Sequence, residues 1–323
     1  MDWVEGNGTK RRQLMIELIA SRLDELGGML VVPFGSFVTG TDIEESDVDV
    51  SVIFLDHIGF MSTPQRSERL DILFKFLESR FAHIVCNRSG RFPTIRLNHR
   101  LLGVPTTGDL VIHDAHAVIS TWVLFSILEA ADEITRRSII LPVLRRVREW
   151  IRRNELCGSS SGNHPAIVFI YMIISFFQFK YFLGRVEYVP GSMLGIEKVD
   201  EGALIELAKS GYEECKVRWG IKPPLKEPHS IVNLDVLFRE CLEFICFHVD
   251  GIFPGAINIT TTNFPFRQRG GSSDISLVVL DPLDGRNIVR SLSRNAQAKL
   301  INELNFEIQK CYIDLATKTK EFS

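Results

Sequence analysis

The stretch from Val32 to Phe54, VPFGSFVTGTDIEESDVDVSVIF, contains the features that decide the fold. A short apolar run ends at Gly35 and Ser36, and eleven residues after Ser36 comes the first of two acids, Asp47 and Asp49. The residues around the acids are β-branched or aromatic, which predicts a strand. Because side chains alternate between the two faces of a strand, both carboxylates are expected to point the same way.

Two carboxylates on one face of a strand indicate a site for a hard cation. They repel each other and shift each other's pKa unless a positive charge lies between them. Mg²⁺ suits such a pair, because it takes one or two protein carboxylates and fills its other positions with water and substrate phosphate. An Asp-x-Asp sequence alone is usually a solvated strand edge. Here Gly35 allows a tight turn close to a ligand, and Ser36 offers a hydroxyl and an N–H to an anion, so the combination predicts a nucleotide-and-metal site.

The Gly-Ser turn followed by Ser-Asp-Val-Asp-Val resembles the signature of the DNA polymerase beta-like nucleotidyltransferase superfamily. The resemblance implies a third carboxylate on a later strand, and Asp109 in GDLVIHDAHAVIST is the match. In terminal uridylyltransferases and the poly(A) polymerases related to them, a polar pair near the sugar follows eleven residues later. Here that pair is Ser120 and Thr121, whereas the family usually has Asn followed by Ser or Thr.

The composition is that of an ordinary globular protein without global basic character. Of 323 residues, 45% are hydrophobic and 24% charged, and the formal net charge is −3. An RNA site would therefore be a local patch. Six scattered cysteines without a Cys-x-x-Cys motif favour reduced thiols in an intracellular compartment. Cys241, Cys246 and His248 lie in an apolar segment that favours a helix over a zinc site. The longest apolar run, 165–177, is shorter than the roughly 20 residues of a bilayer span, so no membrane partner is expected.

Apolar periodicity predicts an α+β fold. Helices over 10–28 and 64–79, with strands over 29–34, 48–54, 83–86, 93–98 and 109–113, predict a mixed sheet covered on one face by helices. Further helices are predicted over 117–130, 133–153, 164–183, 203–209, 231–248 and 293–315.

Two domains follow from this pattern. We expect a catalytic domain over 10–113 with the palm architecture that the resemblance implies, and a mainly helical nucleotide-recognition domain over 114–323. Residues 1–9 are expected to pack on the helical domain, and the nucleotide is expected in the cleft between the two.

The predicted helix over 133–153 carries a stripe of basic side chains. Arg148 and Arg152 are four residues apart and share one helix face, and Arg145 extends the stripe. Such charge is usually a solvated face, but guanidinium groups also suit the β- and γ-phosphates of a nucleotide. In uridylyltransferases two basic residues at this spacing, more often Lys, contact the triphosphate. The resemblance therefore implies a phosphate clamp at Arg148 and Arg152.

The next segment departs from the family pattern. The family has Gly-x-Leu-Ser-Ser-Tyr, with the Tyr stacked on the base, whereas this chain has GSSSGNHPAIVF from Gly158. The serines are present, among them Ser161 as a nucleotide contact, but the Tyr is not. His164 lies near the aromatic position and would either stack on uracil or cap the following helix. Phe264 and Phe266 are the alternative platform for the base.

The sequence LVVLDPLDG resembles the nucleotide-recognition segment of the same family, where an apolar strand leads into Asp-Pro-x-Asp/Glu. In uridylyltransferases the two acids bind the uracil edge, which implies this role for Asp281 and Asp284. A carboxylate only accepts hydrogen bonds, so it suits the N3–H of uracil and disfavours the acceptor N1 of adenine. This favours UTP. The alternative is an ordinary Asp-Pro turn.

The resemblance, closest to the small RNA uridylyltransferases of trypanosomatids, implies template-independent transfer of UMP from UTP to the 3′-hydroxyl of single-stranded RNA, with release of pyrophosphate. Asp47 and Asp49 would bind two Mg²⁺ ions and Asp109 one of them, with Mn²⁺ as a substitute. The residues expected to hold the triphosphate are Ser36, Ser46, Arg148 and Arg152.

The resemblance also implies a setting in the cell. It suggests a partner complex in RNA processing or editing, with a mitochondrial location if the enzyme edits RNA and a cytoplasmic one otherwise. Two alternatives stay open. One is a nucleotidyltransferase that uses ATP, such as a poly(A) polymerase. The other is a catalytically silent RNA-binding or scaffold protein, against which the presence of all three acids argues.

Overall fold

A computed structural model of the chain describes residues 7–57, 61–88, 93–157, 163–180, 182–186, 201–218, 221–222, 232–252, 256–259, 277–283, 285–289 and 294–321. Its strands are β1 (Met29–Phe34), β2 (Val48–Phe54), β3 (His83–Asn87), β4 (Thr94–Leu101) and β5 (Val104–Ile112). They form one sheet in the order β1-β2-β5-β4-β3. Only β2 and β5 pair in parallel, so this sheet is mixed, as the sequence predicts.

Helices α1 (Asn7–Asp24) and α3 (Thr63–Glu78) pack with one face of this sheet. In α1 the side chains of Met15, Ile19 and Leu23 recur every four residues and are buried in the same core as the valines of β2. A capping box, in which Ser62 and Gln65 exchange hydrogen bonds, begins α3. Because alternate residues of β2 and β5 fill this core, the intervening acidic residues lie on the other face.

Helices dominate the rest of the described chain. They are α2 (Ser36–Thr39), inside the first part, then α4 (Ala115–Glu129), α5 (Glu133–Thr135), α6 (Leu141–Arg153), α7 (Ala166–Phe179), α8 (Glu201–Ser210), α9 (Tyr212–Arg218), α10 (Leu234–Val249) and α11 (Arg294–Glu321). Two short strands, β6 (Arg185–Val186) and β7 (Ile221–Lys222), pair antiparallel. No helix in the described ranges is long and apolar enough to cross a membrane.

In two places a proline explains why an observed helix differs from the predicted one. The helix predicted over 133–153 is interrupted by a π-helical turn at Arg136–Ile140. The cause is Pro142, which has no N–H for the carbonyl four residues earlier, so the backbone widens before α6 begins. The helix predicted over 164–183 begins later, because Pro165 is the N-cap of α7, and it ends at Phe179.

The compact units of the chain do not coincide with the predicted domains over 10–113 and 114–323, whose functional division stays a prediction. The chain divides into two compact units, Met1–Ser126 with Met193–Trp219, and Ile127–Ser192 with Gly220–Ser323. Tyr212 of α9 packs edge-on or tilted against Trp122 and Phe125 of α4, and its hydroxyl lies 3.1 Å from the hydroxyl of Ser126. This aromatic cluster joins α9 to the part of α4 that lies in the first unit, and α8 belongs to the same unit.

The expected packing of residues 1–9 on the helical domain stays a prediction. Residues 7–9 begin α1, which packs with the sheet in the first unit, and residues 1–6 lie outside the described ranges.

Candidate active site

Three acidic residues meet on the face of the sheet that α1 and α3 leave open. Asp49 in β2 is directly opposite Asp109 in the parallel neighbour β5, and Asp47 immediately precedes β2. The side chain of Asp47 is 41% exposed and that of Asp109 is 20% exposed, so both remain accessible from solvent. The alternation predicted from the sequence therefore brings the carboxylates to one side, and the parallel register adds the third.

The turn at Gly35 lies against Asp49. Gly35 follows Phe34, which is opposite Asp49 in the antiparallel pair of β1 and β2, and it has φ 75° and ψ −150°. A Cβ atom at this position would lie 2.5 Å from Oδ2 of Asp49. Only glycine allows both this backbone conformation and this approach. Ser36 follows as the first residue of α2 and is half-buried.

Helix α4 stabilises the turn at Gly35 through a hydrogen bond. The backbone N–H of Gly35 donates a 2.9 Å hydrogen bond to Oγ1 of Thr121, which in turn donates to the carbonyl of Ala117. Thr121 is buried, whereas Ser120 is half-buried and its hydroxyl lies 3.5 Å from Nδ1 of His116. The structure therefore brings Thr121 to the Gly-Ser turn, and the proposed contact of both residues with a sugar stays a prediction.

The loop before Asp47 is attached to α1. The guanidinium of Arg12 contacts the carboxylate of Asp42, and its Nη1 donates to the carbonyls of Ile43 and Glu44, each at 3.2 Å. The Arg12 and Asp42 side chains are both buried. The hydroxyl of Ser46 accepts a 2.9 Å hydrogen bond from the N–H of Ile43. In this conformation Ser46 therefore stabilises the loop, and its contact with a triphosphate stays a prediction.

Arg96 of β4 places a positive charge among the three acids. Its Nε donates to Oδ1 of Asp109 at 2.8 Å, and its Nη2 donates to Oδ2 at 2.6 Å. The same Nη2 lies 3.4 Å from Oδ2 of Asp47. These hydrogen bonds to Asp109, together with the charges of the three acids, raise the pKa of Arg96. Arg96 thus supplies the cation that two adjacent carboxylates need.

The two arginines of the predicted phosphate clamp lie on α6. Arg148 is half-buried and Arg152 is exposed, and the buried face of the helix includes Leu144 and Val147. Burial raises the pKa of the nearby Cys157 thiol, and the positive charges of Arg148 and Arg152 offset part of that rise. They share a helix face as predicted, and their contact with a triphosphate stays a prediction.

His164 packs inside the chain beside α7. Its side chain is buried and lies edge-on to Phe169, with ring centroids 6.3 Å apart. Burial lowers the pKa of His164 to about 4, so the ring is neutral. Pro165, not His164, is the N-cap of α7. The capping role considered for His164 therefore belongs to Pro165, and stacking of His164 on a base stays a prediction.

Asp281 closes a turn. Its Oδ1 accepts a 2.9 Å hydrogen bond from the N–H of Leu283, and its carbonyl accepts one from the N–H of Gly285. The residue is buried. This is the Asp-Pro turn that the sequence left as an alternative. The other predicted residues of base and nucleotide recognition lie outside the described ranges: Ser161, Phe264, Phe266 and Asp284.

Comparison with known families supports this interpretation of the first unit. Residues 4–126 match the model of a family described as "Poly(A) RNA polymerase, mitochondrial-like, central palm domain". The matched residues include the whole sheet, α1 to α3, the Gly-Ser turn, all three acids and most of α4. This part of the chain is a polymerase beta-like palm domain. Comparison with curated protein sequences finds no match.

Solved structures resemble this chain over most of its length. A variant of the Cid1 poly(U) polymerase bound to MgATP has a TM-score of 0.66 at 16% identity, covering 96% of this chain and 90% of that one. Cid1 in complex with its short product ApU has a TM-score of 0.64 at 14% identity, with coverages of 95% and 88%. A cytoplasmic RNA terminal U-transferase gives 0.64 at 15%, with coverages of 93% and 87%. At these identities the likeness shows the fold.

The acids of the palm domain are suited in type to Mg²⁺. Carboxylates are the hard oxygen ligands that this ion takes, and Asp49 and Asp109 are adjacent on one face. Across the described ranges, however, no three His, Cys, Asp or Glu side chains are arranged to hold a metal ion. Both oxygens of Asp109 instead bind Arg96. The carboxylates are of the type that binds Mg²⁺. In this structure Asp47 and Asp109 are arranged around the guanidinium of Arg96.

Sequence reasoning missed Arg96. In the strand TIRLN it alternates with the buried Ile95 and Leu97, so period-two patterning alone assigns Arg96 to the open face. The register that pairs Arg96 with Asp109 is the information that was missing. An isolated Arg on the open face of a strand that pairs with the third acid is the signal that would have identified it.

Proposed function

We propose that this protein is an RNA 3′-terminal nucleotidyltransferase that transfers UMP from UTP to the 3′-hydroxyl of single-stranded RNA. One observation carries the proposal: Asp49 and Asp109 are directly opposite each other in a parallel strand pair, and the glycine turn lies within contact of Asp49. A polymerase beta-like palm with these parts suits transfer to a hydroxyl. The Cid1 structures, described as a poly(U) polymerase with its UTP analogue and its product ApU, are consistent with this acceptor and donor.

The residues of the chain would act by position and charge. When bound, Mg²⁺ would neutralise charge on the phosphates and activate the 3′-hydroxyl. Asp47 and Asp49 would hold the metal, and Asp109 would hold it from β5 and accept the proton of the hydroxyl. Gly35, whose own N–H is held by Thr121, would let the turn approach the triphosphate closely, and Ser36 would offer it a hydroxyl and a backbone N–H. The chemistry needs no covalent intermediate, because orientation and charge neutralisation supply most of the rate enhancement.

The choice of base is the finer part of the proposal. UTP is favoured by the acid at Asp284, which matches the uracil-binding segment in sequence. ATP is the second candidate, because the family model that matches residues 4–126 is that of a poly(A) RNA polymerase. Asp281 already uses one carboxylate oxygen to close its turn, so Asp284 is the better residue with which to test selectivity.

Primer extension tests the activity. Purified protein is incubated with a short single-stranded RNA, Mg²⁺ or Mn²⁺, and each of the four nucleoside triphosphates separately. We expect extension with UTP, and we expect Asp49→Ala to abolish it. Asp56→Ala is the matched control, because Asp56 follows the end of the same strand, is exposed and pairs with Arg69. A wild-type level of extension by Asp49→Ala would refute the assignment of the site.

Nucleotide selectivity is tested separately in the Asp284→Asn variant. A carboxamide can donate as well as accept, so the variant should lose preference for UTP over ATP while it keeps its total activity. Extension mainly with ATP by the wild type would retain the catalytic assignment and replace UTP with ATP. No extension with any triphosphate would favour the catalytically silent alternative.

A further inference from the structure

Arg96 is bound to the acid that the resemblance assigns to the metal. Its Nε and Nη2 donate hydrogen bonds to the two carboxylate oxygens of Asp109, and the same Nη2 also lies 3.4 Å from Oδ2 of Asp47. A fork of this kind is among the stronger hydrogen-bonded ion pairs. The Arg96 side chain is nevertheless 51% exposed, so it has access to solvent if the contact breaks. The Arg96–Asp109 ion pair can therefore form, and water can solvate the guanidinium when the pair breaks.

A guanidinium and a divalent ion exclude each other at this position. Metal–oxygen distances for Mg²⁺ are about 2 Å, so an ion on either oxygen of Asp109 would be less than about 5 Å from the donating nitrogen of Arg96. Two positive charges at such a distance repel strongly near a protein surface.

We propose that Arg96 is an exchangeable internal cation, whose guanidinium neutralises the acidic centre in the metal-free protein and must release Asp109 before a metal ion can bind there. It is therefore a positioning residue that acts through Asp109. Without it, Asp47, Asp49 and Asp109 would repel one another on one face of the sheet. With it, metal affinity is lower than the carboxylates alone would give. This inference deepens the proposed function and rests on it for the identity of the ligand, a divalent cation.

The matched control lies on the same strand. Arg100 is also in β4, is exposed, and is four residues from Arg96, so it lies on the same face. Its Nε donates a 2.9 Å hydrogen bond to the carbonyl of Gly103, in the turn between β4 and β5. Arg100→Gln therefore removes one positive charge from the same strand without removing a contact to the acids.

The experiment measures metal binding without nucleotide or RNA. Mg²⁺ is titrated into the full-length protein by calorimetry, and Mn²⁺ is followed by electron paramagnetic resonance. We expect Arg96→Gln to bind either ion roughly tenfold more tightly than the wild type, the scale of one removed charge at this distance. Arg96→Lys, which keeps the charge and loses the fork, should lie between the two, and Arg100→Gln should match the wild type.

Thermal unfolding provides the second readout. In a chelator, Arg96→Gln should unfold at a lower temperature than the wild type, since the acids repel, and Mg²⁺ should raise its midpoint more than it raises that of the wild type. Equal or weaker metal binding by Arg96→Gln would overturn the inference, even where the wild type extends RNA. Tighter binding by Arg96→Gln, with no extension by the wild type, would support the inference and refute the proposed function.

Discussion

At the residue scale, Gly35 combines a positive φ with a position that has no room for a side chain. Gly35→Ala should place its Cβ against the carboxylate of Asp49, displace that carboxylate and weaken Mg²⁺ binding. The backbone conformation alone should cost about 1–3 kcal/mol of unfolding free energy. Urea denaturation measures the stability, and metal titration calorimetry measures the affinity.

A second glycine separates the two effects. Gly103, in the turn between β4 and β5, has φ 80°, and no atom lies within 4 Å of the position that a Cβ would take. Gly103→Ala therefore carries the backbone cost without the collision. We expect Gly103→Ala to leave metal affinity unchanged. If the two variants affect metal affinity equally, the close approach of Gly35 to Asp49 has no role in the site.

Because the ring of His164 is buried, we expect the free energy of unfolding to depend on pH. Burial lowers its pKa from 6.5 to about 4 in the folded protein. Between these values the unfolded chain binds a proton that the folded chain does not, so stability is complete above pH 6.5 and falls as the pH decreases towards 4. The loss at this residue should amount to at most about 3 kcal/mol.

Urea denaturation between pH 4 and pH 7.5 checks this expectation. His164→Gln has no titrating ring, so its free energy of unfolding should change less with pH over this window than that of the wild type. The comparison uses the slope, because the absolute stability of the variant also includes the cost of repacking a buried side chain. Equal slopes would show that His164 is charged in the folded protein or exposed to solvent.

At the scale of elements, the buried pair of Arg12 and Asp42 connects α1 to the loop that leads to Asp47. Arg12→Gln would remove the guanidinium that contacts the buried carboxylate of Asp42, together with hydrogen bonds to two loop carbonyls. Breaking a buried pair in this way costs about 3–5 kcal/mol. We expect a loss of this size in urea denaturation and weaker Mg²⁺ binding, because the loop positions Asp47.

The same helix provides the control for this prediction. Arg22 of α1 pairs with Glu25, and both side chains are about 40% exposed. Exposed pairs contribute about 0–1 kcal/mol, so Arg22→Gln should change stability little. Similar losses in the two variants would mean that the helix as a whole, rather than its contact with the loop, determines the effect.

At the scale of the whole molecule, the cysteines report on global unfolding. All six are free; Cys86 and Cys157 are partly buried, and Cys215, Cys241, Cys246 and Cys311 are buried. In native protein we expect a thiol reagent to modify two cysteines, slowly, because burial raises the pKa of both partly buried thiols. In denaturant all six should react at once.

Counting modified thiols by mass spectrometry tests this expectation. Cys86→Ser should reduce the native count from two to one without changing protection of the four buried thiols. Rapid modification of more than two cysteines in native protein would contradict the burial, and fewer than six reactive thiols in denaturant would indicate a disulfide.

Much of the palm domain could be predicted because its signals are local. The β-branched run around Asp49 identifies its strand by period two, and the apolar stripes identify α1 and α3 by period 3.6. The interruption before α6 could in principle have been predicted from Pro142, which lacks a backbone N–H. The apolar pattern, however, continues across this proline and favours one helix. The compact units could not be predicted in this way, because the aromatic contact of Tyr212 with α4 joins residues far apart in the chain.

The resemblance implied a third acid on a later strand, and the sequence by itself determined the other chemical parts of the site: the glycine at the turn and two acids on one face of a strand. These depend on residue type and on spacing within a few residues, where backbone geometry is known in advance. Only the tertiary structure decided that Asp109 is opposite Asp49, that Thr121 receives the N–H of Gly35, and that Arg96 holds Asp109. Each of these contacts depends on strand register or on helix docking, and a shift of one residue would turn the side chains to the other face.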